Sequence, residues 1–86
     1  MASHSIKFYG ISTCIHCRHT KEFLEKEQVP FDLVYVDKLH GSDRDDTIET
    51  VRQYNPRLSF PTVVVDGGKE VVVGFQPERL KEVLEL

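Results

Sequence analysis

Two cysteines stand three residues apart in Ser12-Thr13-Cys14-Ile15-His16-Cys17-Arg18, and the chain has no others. A short apolar run, Ile6-Lys7-Phe8-Tyr9, precedes them and a helical pattern follows. Cys14 therefore falls at the start of a helix. A helix N-terminus carries partial positive charge and unpartnered backbone N–H groups, and both favour a thiolate over a thiol. Cys17 falls one turn further on, on the same face, within reach of the Cys14 sulfur. A nucleophilic thiol with a resolving partner is the minimum equipment for thiol–disulfide exchange.

Two other uses of such a pair fit less well. A structural disulfide closing so short a loop removes little chain entropy. A structural zinc ion needs four ligands, and there is no second Cys-x-x-Cys. His16 and His19 are near in sequence but project from other faces of the helix than the cysteines. No metal ligands are assigned.

The surrounding chain has 86 residues, 40% hydrophobic and 29% charged, the balance of one small domain over residues 1–86. A net charge of -3 without a basic block argues against nucleic-acid binding. No apolar run exceeds four residues, too short to span a membrane. Met1-Ala2-Ser3-His4-Ser5 lacks the charged and apolar regions of a signal peptide. The expected home is the cytoplasm, where thiols are kept reduced and a Cys-x-x-Cys pair is used for chemistry. A monomer is expected.

The elements that must hold the cysteines follow from residue periodicity. Ile6 to Tyr9 reads as a first strand. Ile15 to about Gln28 reads as a helix, with Cys17, Thr20, Phe23 and Leu24 on its buried face and Pro30 beyond its end. Phe31 to Val36 is a second strand, β-branched and aromatic. Strand, helix and strand make a right-handed βαβ crossover with parallel strands. Ser42 or Asp43 can cap a second helix, with Asp45 and Asp46 in its first turn and Ile48, Val51 and Tyr54 facing inward. Asn55-Pro56 ends it. Thr62 to Val65 and Glu70 to Val73 form a hairpin around Asp66-Gly67-Gly68. Pro77 opens a last helix that buries Leu80, Val83 and Leu84. The fold class is α/β, ordered β-α-β-α-β-β-α: a four-stranded mixed sheet with helices on both faces.

This arrangement resembles the glutaredoxin family of the thioredoxin superfamily, in its dithiol form. The resemblance rests on Thr13-Cys14-Ile15-His16-Cys17 after the first strand, Phe60-Pro61-Thr62 before the third and Gly74-Phe75 after the fourth. It implies the thioredoxin-like fold and a cis peptide bond at Pro61. It also implies that the Phe60 backbone pairs with substrate like an added strand. Thr13, Ile15, Phe60, Pro61, Thr62, Gly74, Phe75 and Gln76 become the expected substrate or glutathione contacts. Cys14 would attack a disulfide and Cys17 would resolve the mixed disulfide. Protein disulfides or glutathione mixed disulfides are the implied substrates, with no cofactor bound and glutathione as a possible reductant.

The pattern also departs from the family. Many glutathione-using members carry Lys where Ile11 stands and a Gly-Gly-x-Asp element where this chain has Gly74-Phe75-Gln76-Pro77-Glu78. The Gly-Phe-x-Pro run is similar to redoxins that serve ribonucleotide reductase and take electrons from thioredoxin reductase, though they have Arg in place of Gln76. Poor use of glutathione is therefore expected. The competing class is an iron–sulfur cluster or metal carrier, but its usual Cys-Gly-Phe-Ser context is absent. His16, between the cysteines, is expected to favour the thiolate and make the reduction potential less negative, about -200 to -230 mV.

Overall fold

The third strand, β3 (Thr62–Val65), is buried along its whole length. A run of β-branched residues suits a central strand covered on both faces. This computed structural model describes residues 4–86; the part of the signal-peptide reading that concerns Met1-Ala2-Ser3 lies outside them. The remaining elements are β1 (Ile6–Gly10), α1 (Ile15–Lys26), β2 (Asp32–Tyr35), α2 (Gly41–Tyr54), β4 (Glu70–Val73) and α3 (Pro77–Leu84). The sheet runs β2-β1-β3-β4. β1 is parallel to β2 and antiparallel to β3, and β3 is antiparallel to β4. This is the mixed α/β sheet that the sequence predicts.

Strand alternation divides the core into two layers. Phe8, Val63, Val65 and Val72 meet Cys17 and Leu24 of α1 and Leu80 and Leu84 of α3. Tyr9 and Val64 point to the opposite face, where Val36 and Val51 pack with them. Ile48 and Tyr54 of α2 pack on the same cluster. Each buried aliphatic side chain contributes roughly 1.5–3 kcal/mol. Cys17 is part of the first layer and Cys14 packs against it, so the cysteine pair is anchored on the core.

Several boundaries differ from the sequence reading, each for a local reason. α1 ends at Lys26, before the expected Gln28. Gln28 adopts φ 58, and the N–H groups of Gln28 and Val29 donate to the carbonyls of Glu25 and Leu24, both at 3.0 Å. That pattern is a Schellman ending, with Gln in the place usually taken by Gly. β2 is shorter than Phe31–Val36 because Val36 already opens a 3₁₀ turn, Val36–Lys38. α2 starts at Gly41 with His40 as its cap, so neither Ser42 nor Asp43 is the cap. Asp43 is in the first turn, while Asp45 and Asp46 fall past it and are exposed. The hairpin turn itself falls at Asp66–Gly68 as expected, with Asp66 at φ 53 and Gly67 at φ 71. Gly68 is required there: φ is +109, and a Cβ would lie 2.6 Å from Tyr54 Cε1.

Candidate active site

Cys14 is the N-cap of α1, with extended backbone angles of φ -87 and ψ 124. Its sulfur therefore sits over the first free N–H groups of the helix. Hydrogen bonds from the Cys17 backbone N–H, then the Cys17 thiol and the His16 N–H, lower the Cys14 pKa from 9.0; desolvation partly opposes them. Cys17 is 2% exposed. Burial pushes its pKa up to about 11, with the nearby Cys14 and Asp37 charges adding to the rise. The N–H of Ile11 donates to Cys17 Sγ at 3.4 Å and works in the other direction. Both cysteines are free thiols. One sulfur is thus tilted toward the thiolate and the other held as thiol.

Three segments carry the residues expected around this pair. The first is the loop after β1. Gly10 packs closely on the resolving position, since a Cβ there would lie 3.3 Å from Cys17 Sγ. The N–H of Cys14 donates to the Ile11 carbonyl at 3.1 Å. The second segment is Ser59 to Thr62, where the Phe60–Pro61 peptide bond is cis, as the resemblance implies. The third is the turn after β4, tied to the second because the Gly74 N–H donates to the Pro61 carbonyl at 2.9 Å. A cleft of about 210 Å³ opens at the nucleophile, lined by Ser12, Thr13, Cys14, Ile15 and Arg18. Ile15 is a large hydrophobic residue left 45% exposed beside Cys14.

The family model for glutaredoxins matches residues 6–71. The chain belongs to the glutaredoxin family. A glutaredoxin from Methanosarcina mazei is 39% identical, with a TM-score of 0.88 over 95% of this chain and 79% of that one. Methanoredoxin from Methanosarcina acetivorans is 35% identical, with a TM-score of 0.90 over 95% and 85%. An uncharacterised glutaredoxin-like protein of a Clostridium pasteurianum rubredoxin operon is 29% identical over 80 residues, 93% of this chain and 97% of that protein. The fold is thioredoxin-like, and family membership supports a general thiol–disulfide oxidoreductase role.

The remaining expected contacts divide within this glutaredoxin frame. Thr13 and Ile15 border the cleft at Cys14. Thr62 does not face it. Thr62 is 0% exposed, and its hydroxyl donates to the Ser59 carbonyl at 2.8 Å. Pro61 is also fully buried, while Phe60 is half-buried against both core layers. Phe75 lies away from the cleft. Its ring packs against His19 at 5.6 Å and shares a shallow cavity with Glu22, Phe23 and Lys26. The Gln76 amide turns back and donates to the Val73 carbonyl at 2.5 Å. The His16 imidazole is exposed, and its residue acts on Cys14 through the backbone N–H.

Two positions have roles that residue type and spacing did not reveal. Asn55, expected only as a helix stop, is 6% exposed. Its side-chain N–H₂ donates to the Ser59 carbonyl at 2.9 Å and to Thr62 Oγ1 at 3.2 Å. It thereby holds the segment that carries Phe60-Pro61. Asp37, expected only as a loop residue, accepts hydrogen bonds from both the backbone N–H and the hydroxyl of Ser12. Those bonds hold its carboxyl below the usual range. An Asn just after a helix and an Asp just past a strand are the weak signals that could have marked them. Among the described residues, no group of three or more His, Cys, Asp or Glu converges as a metal site. No described helix is long and apolar enough to cross a membrane.

Proposed function

We propose that the chain is a dithiol oxidoreductase that reduces protein disulfides, or glutathione mixed disulfides, through Cys14 and Cys17. The opposite electrostatic settings of the two sulfurs carry this reading. The Cys14 thiolate attacks a substrate sulfur, forms a mixed disulfide and expels the first substrate thiolate. Cys17 then loses its proton to solvent and attacks Cys14 Sγ. The second substrate thiolate leaves, and the Cys14–Cys17 disulfide remains. Two electrons pass from the cysteine pair to the substrate. The backbone of Phe60 supports the substrate role, because no hydrogen bond among the described residues engages it and an extended substrate can pair there.

The electron source we propose is a thioredoxin reductase rather than glutathione, in a reducing compartment such as the cytoplasm. Ile11 supports this: it stands where a lysine is usual and packs instead on the α2-side core. The missing Gly-Asp element adds to it. Losing a charged partner from an anion site costs about 1.5–3 kcal/mol, roughly tenfold to a hundredfold in affinity. The test compares turnover on a disulfide substrate with each reductant. Poor glutathione saturation and faster turnover with thioredoxin reductase are expected. A glutathione KM well below about a millimolar would overturn the choice of reductant.

A further inference from the structure

The two sulfurs draw their hydrogen-bond donors from different parts of the chain. Cys14 is served by N–H groups of α1, from Cys17 and His16. Cys17 is served by the Ile11 N–H, which belongs to the loop before the helix. Donors inside a helix are fixed by the helix. A loop donor needs something else to hold it, because ordering each residue costs conformational entropy.

That second support is Asp37. The register pairs Gly10 with Tyr35 in the parallel β1–β2 ladder, so the residues after each strand leave the sheet side by side. Ser12 and Asp37 meet just beyond this pair. The Ser12 N–H donates to Asp37 Oδ1 at 2.9 Å, and the Ser12 hydroxyl donates to Oδ2. Both carboxylate oxygens are therefore used on the residue next to Ile11. Charge-assisted bonds of this kind are the stronger ones.

We propose that Asp37 is a positioning residue for the resolving step: its grip on Ser12 holds the Ile11 N–H on Cys17 Sγ. The carboxylate touches neither cysteine and takes no part in attack by Cys14. It acts when Cys17 must become a thiolate, form the bond to Cys14 Sγ and break the bond from Cys14 to the substrate sulfur. The proton of Cys17 goes to solvent, and the departing substrate thiolate regains one there. The Ile11 N–H stabilises the charge that develops on Cys17 during this step. The inference rests on the cysteine roles proposed above.

Stopped-flow reduction of substoichiometric dithiobis(nitrobenzoate) by the full reduced chain separates the steps. Attack by Cys14 releases one coloured thiolate, and resolution by Cys17 releases the second. Asp37→Ala should slow the second phase about tenfold, the scale of one charge-assisted hydrogen bond, and leave the first within about twofold. Asp37→Asn should restore the second phase, since its amide oxygen can accept from the Ser12 N–H and its amide N–H₂ can donate to the hydroxyl. Removal of the charge that helps keep Cys17 protonated should make it no slower than wild type. Ser12→Ala keeps the backbone bond and should slow the second phase less than Asp37→Ala. It serves as the test if the alanine variant at position 37 does not fold. An unchanged second phase in Asp37→Ala, equal slowing of both phases, or an Asn variant as slow as Ala would overturn the inference. A wild-type chain that releases no second thiolate would instead overturn the cysteine roles.

Discussion

Iodoacetamide at neutral pH should modify Cys14 and spare Cys17. The perturbation is alkylation of the reduced chain, and the environments of the two sulfurs set its selectivity. The helix N–H groups lower the Cys14 pKa, which raises its thiolate fraction at pH 7 above that of an ordinary thiol. Cys17 titrates at about 11, four units above pH 7, so roughly one molecule in ten thousand carries its thiolate. Ionisation alone therefore favours Cys14. The Cys17 thiolate is intrinsically more nucleophilic, because reactivity rises with basicity at about half a log unit per pKa unit. That returns only about half of the ionisation advantage in log units, so Cys14 stays ahead. Burial of Cys17 at 2% exposure widens the gap. Mass spectrometry of peptides from timed reactions reads both rates. The rate at Cys14 should level off above its lowered pKa, while that at Cys17 should keep rising until about pH 11. Selectivity should therefore fall as pH increases. Equal labelling at pH 7, or faster labelling of Cys17, would refute the assignment of nucleophile and resolving thiol.

Two further expectations follow from neighbouring residues. Asn55→Ala should destabilise the chain by about 1–3 kcal/mol, because the Ser59 and Thr62 oxygens lose a buried donor. Urea unfolding measures it, and a loss under about half a kcal/mol would count against the network. His16→Phe keeps the backbone N–H that serves Cys14, so it isolates the imidazole. Equilibration with a glutathione redox buffer should give the variant a more negative potential than wild type, by no more than about 30 mV. A value equal to or less negative than wild type would leave the imidazole without a part in favouring the thiolate.

The sequence by itself determined the element order and the place of the Cys14–Cys17 pair in it. Both are carried by short-range signals. Val63-Val64-Val65 reads as a strand because β-branched residues fit a pleated surface. Cys14 reads as a helix cap because an apolar strand, a turn and a helical period surround it in the chain. Family resemblance added the expectation at Phe60-Pro61. Helix ends were read less well. His40 caps α2 in place of Ser42 or Asp43, and the left-handed Gln28 stops α1, because caps depend on one or two residues whose backbone angles are fixed by packing.

Tertiary structure alone decided which side chains serve the site. Thr62 and Phe75 have the right residue types beside the right motifs. One is turned into the hydrogen bonds of Asn55 and Ser59, and the other lies against His19. Asp37 is 25 residues from Ser12 in the chain. It comes beside the cysteine loop only because β1 and β2 pair in parallel with Gly10 opposite Tyr35. The difference between the two sulfurs has the same origin. Both cysteines are alike in sequence, but one remains at the open end of α1 while the other enters the layer of Phe8, Leu24 and Val63. Desolvation depends on what packs around an atom, and that is settled by contacts between residues distant in the chain.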